Sequence, residues 1–501
     1  MTAAPADARP RALIVPVRVI AATVLAAAAV ALLSEALTTS DRPTHAVIWG
    51  SLALAASAFA LLCLVGVRRG AGLGLARWRL GPWILLWYGV AFGLATATWS
   101  HSPTTGASAE IALSSVLRAL WLVTVGMVIW AFGYLVGPGR MARDRAARMV
   151  GKLGRRYAAE IRSPMAPWIL YAIGIAARLA SVATSGHFGY VGDTSSVATA
   201  TGYAQFLAGF SLCAPLAVAA AAIQLYRERI PGARATLTVL FLSELVFGAA
   251  AGGKQSFVIT VLAVAIPFSA TRHHFPKILL VVFPLIFLTV VIPFNRAYRG
   301  AVRGNSSSLA PSQALAAAPD IFRQTILRAN PVTALPNTFT YLLQRIQEID
   351  SPAIIMQRTP GQIAFISPAQ LVEAPAAGIV PRAIWPGKPI LATGDQISHE
   401  YFGLPVTSVT SSAVTPVADL YRHGGWIPVI PGMFLLGCGV RLLDDILDVR
   451  ANPHAIFLVL LAFPILVKNE VDWITLVAGI PSTVLIWLLA VALTFRARRL
   501  T

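Results

Sequence analysis

Three short stretches gather cations whose types and spacing suit the binding of phosphate. FNRAYRGAVRGN places Arg296, Arg299 and Arg303 at i, i+3 and i+7, directly after an apolar run that ends at Pro293. On a helix that continues past that run, the three share one face. Guanidinium groups hold phosphate oxygens through paired, charge-assisted hydrogen bonds, so this face is a candidate clamp for pyrophosphate. The alternative is ordinary snorkelling of arginine at a helix end. GAAAGGKQS sets Lys254 between two apolar runs, with little beyond Gly252 and Gly253 to form the turn. Glycine allows the backbone to approach a ligand closely, and the helix that follows offers free amides to an anion. A structural turn with an interfacial lysine is the competing reading. VPRAIWPGKP holds Arg382 and Lys388 six residues apart on a chain stiffened by Pro381, Pro386 and Pro389. Proline restricts itself and its predecessor, so the stretch is extended or turned and its cations have less freedom to lose on binding. Trp385 between them suits either stacking on a sugar face or anchoring at an interface.

Candidate bases follow downstream. GDQISHEYFG offers Asp395, His399 and Glu400, and VADLYRHGG offers Asp419 and His423 beside Tyr421 and Arg422. GHFGYVGD adds His187, Tyr190 and Asp193. A reaction that deprotonates a hydroxyl needs a group titrating near the working pH, which histidine or a buried carboxylate supplies. The plain alternative is a loop histidine with no chemical part. There is no GxxxxGK[ST], HExxH, CxxC or GxSxG, so ATP hydrolysis, zinc proteolysis and serine hydrolysis have no motif support. Cys63, Cys213 and Cys438 all fall in apolar segments and read as core residues, with no disulfide framework, metal cluster or redox chemistry implied.

The elements that must position these residues are membrane spans. Mean hydropathy is +0.70, and 56% of the 501 residues are hydrophobic against 12% charged. That is the composition of an all-α, polytopic integral membrane protein. The apolar runs predict about twelve helices, near 12–34, 45–66, 80–98, 110–137, 166–184, 203–226, 235–252, 255–270, 277–294, 425–442, 454–468 and 471–495. The first lacks a convincing cleavage site and is expected to be retained. Alternate short connections are basic, so the positive-inside rule places them, and both termini, in the cytoplasm. They carry most of the +19 formal charge, which marks topology and attraction to membrane lipids and gives no support for nucleic acid. The expected organisation is an N-terminal bundle over 1–294, a large extracytoplasmic loop over 295–424 containing short helices, and C-terminal spans over 425–501. PDIFRQTILRAN, TFTYLLQRIQEID and GQIAFISPAQLVEA in that loop show helix-like apolar spacing. Nine arginines and one lysine stand there against seven carboxylates. Within the spans, Glu244 is expected to face the bundle interior, paired or protonated, and Arg178 is the other intramembrane charge.

GGKQS at 252–256, PRAIWPGKP at 381–389 and SSAVTPVADLYRHGGWIPVIPGMFLLG at 411–437 resemble, in order and spacing, the O-antigen polymerase family, the Wzy-like polymerases of oligosaccharide repeat units. The likeness covers roughly residues 180–440. Asp419 departs from it, standing where members often carry Glu. The resemblance implies a GT-C-like, metal-independent glycosyltransferase of the cytoplasmic membrane that needs no cofactor. It would build a surface polysaccharide or exopolysaccharide. Its donor and acceptor would be undecaprenyl pyrophosphate-linked glycans, and its partners a flippase and a chain-length regulator of the same pathway. Lys254, Arg296, Arg299, Arg303, Arg382, Lys388 and Arg422 would bind pyrophosphate. Trp385, Tyr421 and Asp193 would bind sugar, and His399, Asp419 and His423 are the candidate bases in that order. An O-antigen ligase-like transferase and a transporter of a lipid-linked or anionic solute are the alternatives.

Overall fold

The computed structural model describes residues 43–67, 74–99, 111–186, 188–189, 191, 204–304, 307–308, 311–328, 335–373, 380, 385, 393–405 and 411–497. Ten helices among them are long and apolar enough to cross a membrane, and Pro453–Leu466 is a shorter apolar helix. These account for eleven of the twelve predicted apolar segments; the first, near 12–34, lies outside the described residues. In hydrocarbon a backbone amide finds no water, so each span closes its hydrogen bonds within itself as a helix.

In chain order, α1 is Pro43–Val67, α2 Leu80–Tyr88, α3 Leu113–Val136, α4 Arg140–Arg156 and α5 Ala166–Ser185. Next come α6 Ala204–Ser211, α7 Cys213–Ile223, α8 Ala233–Ala250, α9 Lys254–Arg272, α10 Lys277–Ile286 and α11 Ile292–Val302. The long connection contributes α12 Pro311–Phe322, α13 Leu335–Ile346, α14 Asp350–Arg358 and α15 Pro416–Arg422. It is followed by α16 Trp426–Ile446, α17 Pro453–Leu466 and α18 Trp473–Thr494.

The sequence CAPLAVAAAAI makes α7 the centre of one group of helices, with all eleven of its residues buried. Lipid offers no hydrophobic drive for helix association, so close van der Waals packing must supply it, and small side chains allow the approach. α5, α8, α9, α17 and α18 pack around α7. A second group centres on α3, which lies along α1, α14 and α16. There the backbones touch: a Cβ at Gly437 would collide with the Trp130 carbonyl, and one at Gly133 with the Phe434 carbonyl. α17 joins the groups by packing on both α2 and α7, so α16, α17 and α18 sit among the helices that precede the long connection.

Several contacts gather the basic connections at one end. Asp444 accepts the amides of Leu80 and Gly81 at 2.7 and 3.0 Å, and Arg143 pairs with Asp445 at 3.2 Å. Arg450 Nη2 donates to His273 O at 3.3 Å, and Glu228 accepts from Ile161 N at 2.7 Å. The strand Tyr157–Ile161 pairs antiparallel with Phe495–Ala497. The Gly252–Lys254 turn and the long connection occupy the other end. α14 is not a surface element, because Ser351 through Met356 are buried against α3 and α15. α12 and α13 by contrast expose Leu315 and Phe339. GQIAFISPAQLVEA departs from its helix-like spacing and is irregular through residue 367. Ile366 N is drawn to Arg422 O at 3.0 Å, and Pro368 disfavours helix in the residue before it.

Candidate functional site

The turn between α8 and α9 is made by residues that few side chains could replace. Gly252 has φ 66°, the left-handed region glycine favours. Its amide donates to Ala249 O and that of Gly253 to Gly248 O, both at 3.0 Å, which reverses the chain before Lys254 opens α9. The outward carbonyl of Gly252 accepts from Asn295 Nδ2 at 2.6 Å and Arg299 Nε at 2.9 Å. Tyr298 OH adds a bond to Ala250 O at 2.9 Å. Thus α11 is sewn to the turn, and Arg296 is carried with it.

One ring then organises the cations. Lys254 Nζ lies 5.0 Å from the centroid of Tyr341 on α13, and Arg296 Cζ lies 4.8 Å from the same centroid. Arg299 and Arg345 are the further positive charges that act on Lys254. Among the described residues, Lys254, Arg296 and Arg345 have no carboxylate within ion-pairing reach. Gathering like charges is unfavourable until an anion joins them. α9 also begins without a side-chain cap at Gly253, so its first amides add to the same potential. Arg303 lies beyond the helix that carries Arg296 and Arg299. The helix stops at Val302, and Arg303 pairs through its backbone with Ser308, since Gly304 and the serines that follow favour turns over helix.

A second constellation forms around α15, where Asp419, Arg422 and His423 are all buried. Their i, i+3, i+4 spacing puts them on one face, and that face turns inward. Arg422 Nη2 donates to Asp419 Oδ1 and Nη1 to Gln396 Oε1, both at 2.9 Å. His423 Nδ1 lies 3.1 Å from Ser367 O; a carbonyl only accepts, so Nδ1 carries the proton. That leaves Nε2 facing Asp419 Oδ1 at 3.6 Å. Tyr401 OH shares a hydrogen bond with Thr359 Oγ1 at 2.9 Å, and Arg358 Nη1 donates to Glu400 O at 3.0 Å. His399 is partly exposed, with Nδ1 3.1 Å from Leu404 O. Tyr421 rests edge-on between Phe365 and Trp426. Trp385 is 40% exposed. Arg382, Lys388 and Asp193 lie outside the described residues, as do His187 and Tyr190.

Between the two constellations stand acids that the motif reading passed over. Glu348 Oε1 accepts from Trp87 Nε1 at 3.0 Å, while its Oε2 is buried without a partner. Burial first, and the charge of Glu470 second, hold the Glu348 carboxyl well above the usual range, against the pull of Trp87 and Lys468. Asp350 accepts from Trp99 Nε1 at 2.8 Å and Gln347 Nε2 at 2.9 Å, and burial raises it too. Lys468 and Glu470 pair with each other, and Asp472 caps α18 by accepting from Thr475 N at 2.8 Å. Burial and then the charge of Asp419 raise the Asp472 carboxyl. The signal was present as carboxylates set among isoleucines in RIQEID and in the polar VKNEVDW between two apolar runs.

Residues 185–446 match the family model described as a domain of unknown function (DUF8712). The match takes in the Lys254 turn, Arg296, Tyr341, Glu348 and the Asp419 constellation. No curated protein and no solved structure matches the chain. With just over half of its length matched, the chain belongs to the family of this domain of unknown function (DUF8712).

Proposed function

We propose that this chain is a membrane glycosyltransferase of GT-C-like architecture that polymerises lipid pyrophosphate-linked oligosaccharide repeat units into a surface polysaccharide or exopolysaccharide. The observation that carries the reading is the pair Lys254 and Arg296 over one face-bearing ring, Tyr341, with Arg299 and Arg345 beside them. The positive-inside rule assigns the basic end to the cytoplasm, so the cation cluster belongs to the outer face of the cytoplasmic membrane. A pyrophosphate carried on undecaprenol would lie at that depth.

In the proposed step, an acceptor hydroxyl on one lipid-linked unit attacks the anomeric carbon of the donor glycan. The bond from that carbon to the pyrophosphate oxygen breaks, and the lipid pyrophosphate departs with the electron pair. Preorganised cations stabilise the charge that develops on the leaving group. The hydroxyl proton passes to a base. His399 has the exposure to meet a substrate, whereas Asp419 and His423 are buried and suit a relay or a positioning part. The energy resides in the pyrophosphate linkage, so no nucleotide is required. A flippase supplying donor and acceptor, and a chain-length regulator, are the partners this reading calls for.

Incubating the purified protein with lipid-linked repeat units, without nucleotide, is expected to give a ladder of longer products. The joint variant Lys254→Ala, Arg296→Ala is expected to abolish the ladder while remaining inserted and abundant; an undiminished ladder would refute the reading. Transfer of one block to a different acceptor would indicate a ligase. Transport of a lipid-linked or anionic solute is the second reading, favoured by Arg178 and Glu244, which face a cavity within the spans. Solute movement across vesicles without any new glycosidic bond would establish it instead.

A further inference from the structure

Between α5, α6, α7, α8 and α9 lies a cavity of about 350 Å³. Its walls carry the only ion pair among the described residues formed between two candidate spans at this end of the bundle, Arg178 with Glu244. Arg178 sits seven residues before the end of α5 at Ser185, and Glu244 six before the end of α8 at Ala250. At 1.5 Å per residue, the pair lies roughly 10 Å below the end that carries Lys254.

The pair is closed on itself. Arg178 Nη1 meets Glu244 Oε1 at 2.6 Å, Nη2 meets Oε2 at 2.9 Å, and the guanidinium lies 4.7 Å from the centroid of Phe247. Mutual neutralisation leaves the cavity without net charge, and Val182, Phe188, Leu207, Leu212 and Ile259 supply much of the remaining wall. An uncharged apolar slot at this depth is a poor seat for a free anion and a good one for a chain. Its volume admits roughly a dozen water-sized or methylene-sized groups at about 30 Å³ each.

The roof of the cavity is the turn already described. Ala251 and Ser256 line it and flank Gly252, Gly253 and Lys254. Gly189 closes the same end, packed so tightly that a Cβ there would run into the Ala251 carbonyl. The span facing the opening is interrupted at a single residue: α6 stops at Ser211 and α7 starts at Cys213, and Ser211 and Leu212 both reach the cavity. Irregular backbone at membrane depth is tolerated where it lines a cavity.

We infer that this cavity seats the phosphate-proximal part of the chain of a membrane amphiphile whose phosphate group is held by Lys254, Arg296 and Arg345. The inference rests on the proposed reading of that cation cluster, but the two fail separately. Lipid tails already enjoy an apolar solvent, so the seat acts by shape and register, placing the head group at the cations, and not by hydrophobic gain.

The test uses the full-length protein in nanodiscs with two photoreactive probes, an isoprenoid phosphate and a phosphatidic acid, each bearing a diazirine near the phosphate end of its chain. Crosslinks mapped by mass spectrometry are expected on residues 178–189, 207–215 and 247–259. Ser181 lines the cavity as Ser211 does, and labelling is expected to fall at least about tenfold in Ser211→Phe and in Ser181→Phe, variants that fill the slot, with thermal melting confirming that they fold. An isoprenoid source is indicated if that probe alone labels the slot, and a phospholipid source if the phosphatidic acid does. Crosslinks spread over the lipid-facing surface, or equal labelling of both filled variants, would overturn the inference and leave the cation reading standing. Labelling that survives Lys254→Ala, Arg296→Ala would instead overturn the link between cavity and cations.

Discussion

Replacing Tyr341 with leucine removes the ring on which two cations rest and keeps an apolar side chain in its place. The charges stand 5.0 and 4.8 Å from its centroid. A cation over an aromatic face contributes about 0.5 to 1 kcal/mol at exposed sites and about 2 kcal/mol when desolvated. Lys254 and Tyr341 are partly exposed and Arg296 is exposed, so the lower range applies. Two contacts then amount to roughly 1 to 2 kcal/mol. Since about 1.4 kcal/mol is a factor of ten, kcat/KM for the proposed elongation of lipid-linked units should fall roughly 5- to 30-fold. On the proposed reading the loss is partial because the cations remain and would still attract phosphate; what goes is their placement. Tyr341→Phe keeps the π face and should stay within about threefold of the natural rate. Elongation rates are to be read beside thermal melting, which should barely move for a residue of this exposure. Leucine at the natural rate, or phenylalanine as impaired as leucine, would refute the ring's part in holding the cations.

Glu348 gives a pH test. Its folded carboxyl lies above the ordinary value of 4.5, so the folded state binds more protons than the unfolded chain from that pH upward. Stability contributed at low pH is therefore lost as pH rises from about 4.5 towards the folded value. Glu348→Gln removes the titration, and its melting temperature should gain on the natural protein as pH rises; a constant difference across the range would count against the buried acid. Glu244→Ala leaves Arg178 without its partner and should cost about 3 to 5 kcal/mol, whereas Arg178→Met with Glu244→Met should cost much less. Unfolding in detergent compares them, and a double variant weaker than the single one would contradict that account. Gly437→Ala sets a methyl against the Trp130 carbonyl and should cost about 1 to 3 kcal/mol or more, seen in yield and melting. Unchanged stability would mean that α3 and α16 do not meet there.

The span pattern was legible because each helix must satisfy its own backbone in lipid, which leaves long apolar runs in the sequence. The Lys254 turn was legible for a similar reason: two glycines before a lysine between apolar runs leave few conformations. Arg303 shows the limit, since a spacing of i+7 holds only while the helix lasts, and it ends one residue earlier. Tyr341 and Arg345 could not be picked out of TFTYLLQRIQEID, where they look like one face of an amphipathic helix. Their meaning comes from α9 and α11, which lie far away in sequence. For Glu244 the need of a partner was evident from the cost of an intramembrane charge, but Arg178 as that partner follows only from the way α5 and α8 both pack on α7. Asp419, Arg422 and His423 displayed a helical spacing, yet nothing local said that their shared face would be buried.

The ties of Glu348 and Asp350 also set an order of events during synthesis. Trp87 and Trp99, which donate to them, are made 261 and 251 residues earlier. Lys468 and Glu470, which complete the surroundings of Glu348, emerge more than a hundred residues later. Ser367 and Gln396 likewise wait 56 and 26 residues for His423 and Arg422. A nascent chain that has inserted its first nine predicted spans therefore holds the cation turn but not the acidic half of the site. The two halves of the site therefore meet only once the last helix pair of the chain is in place.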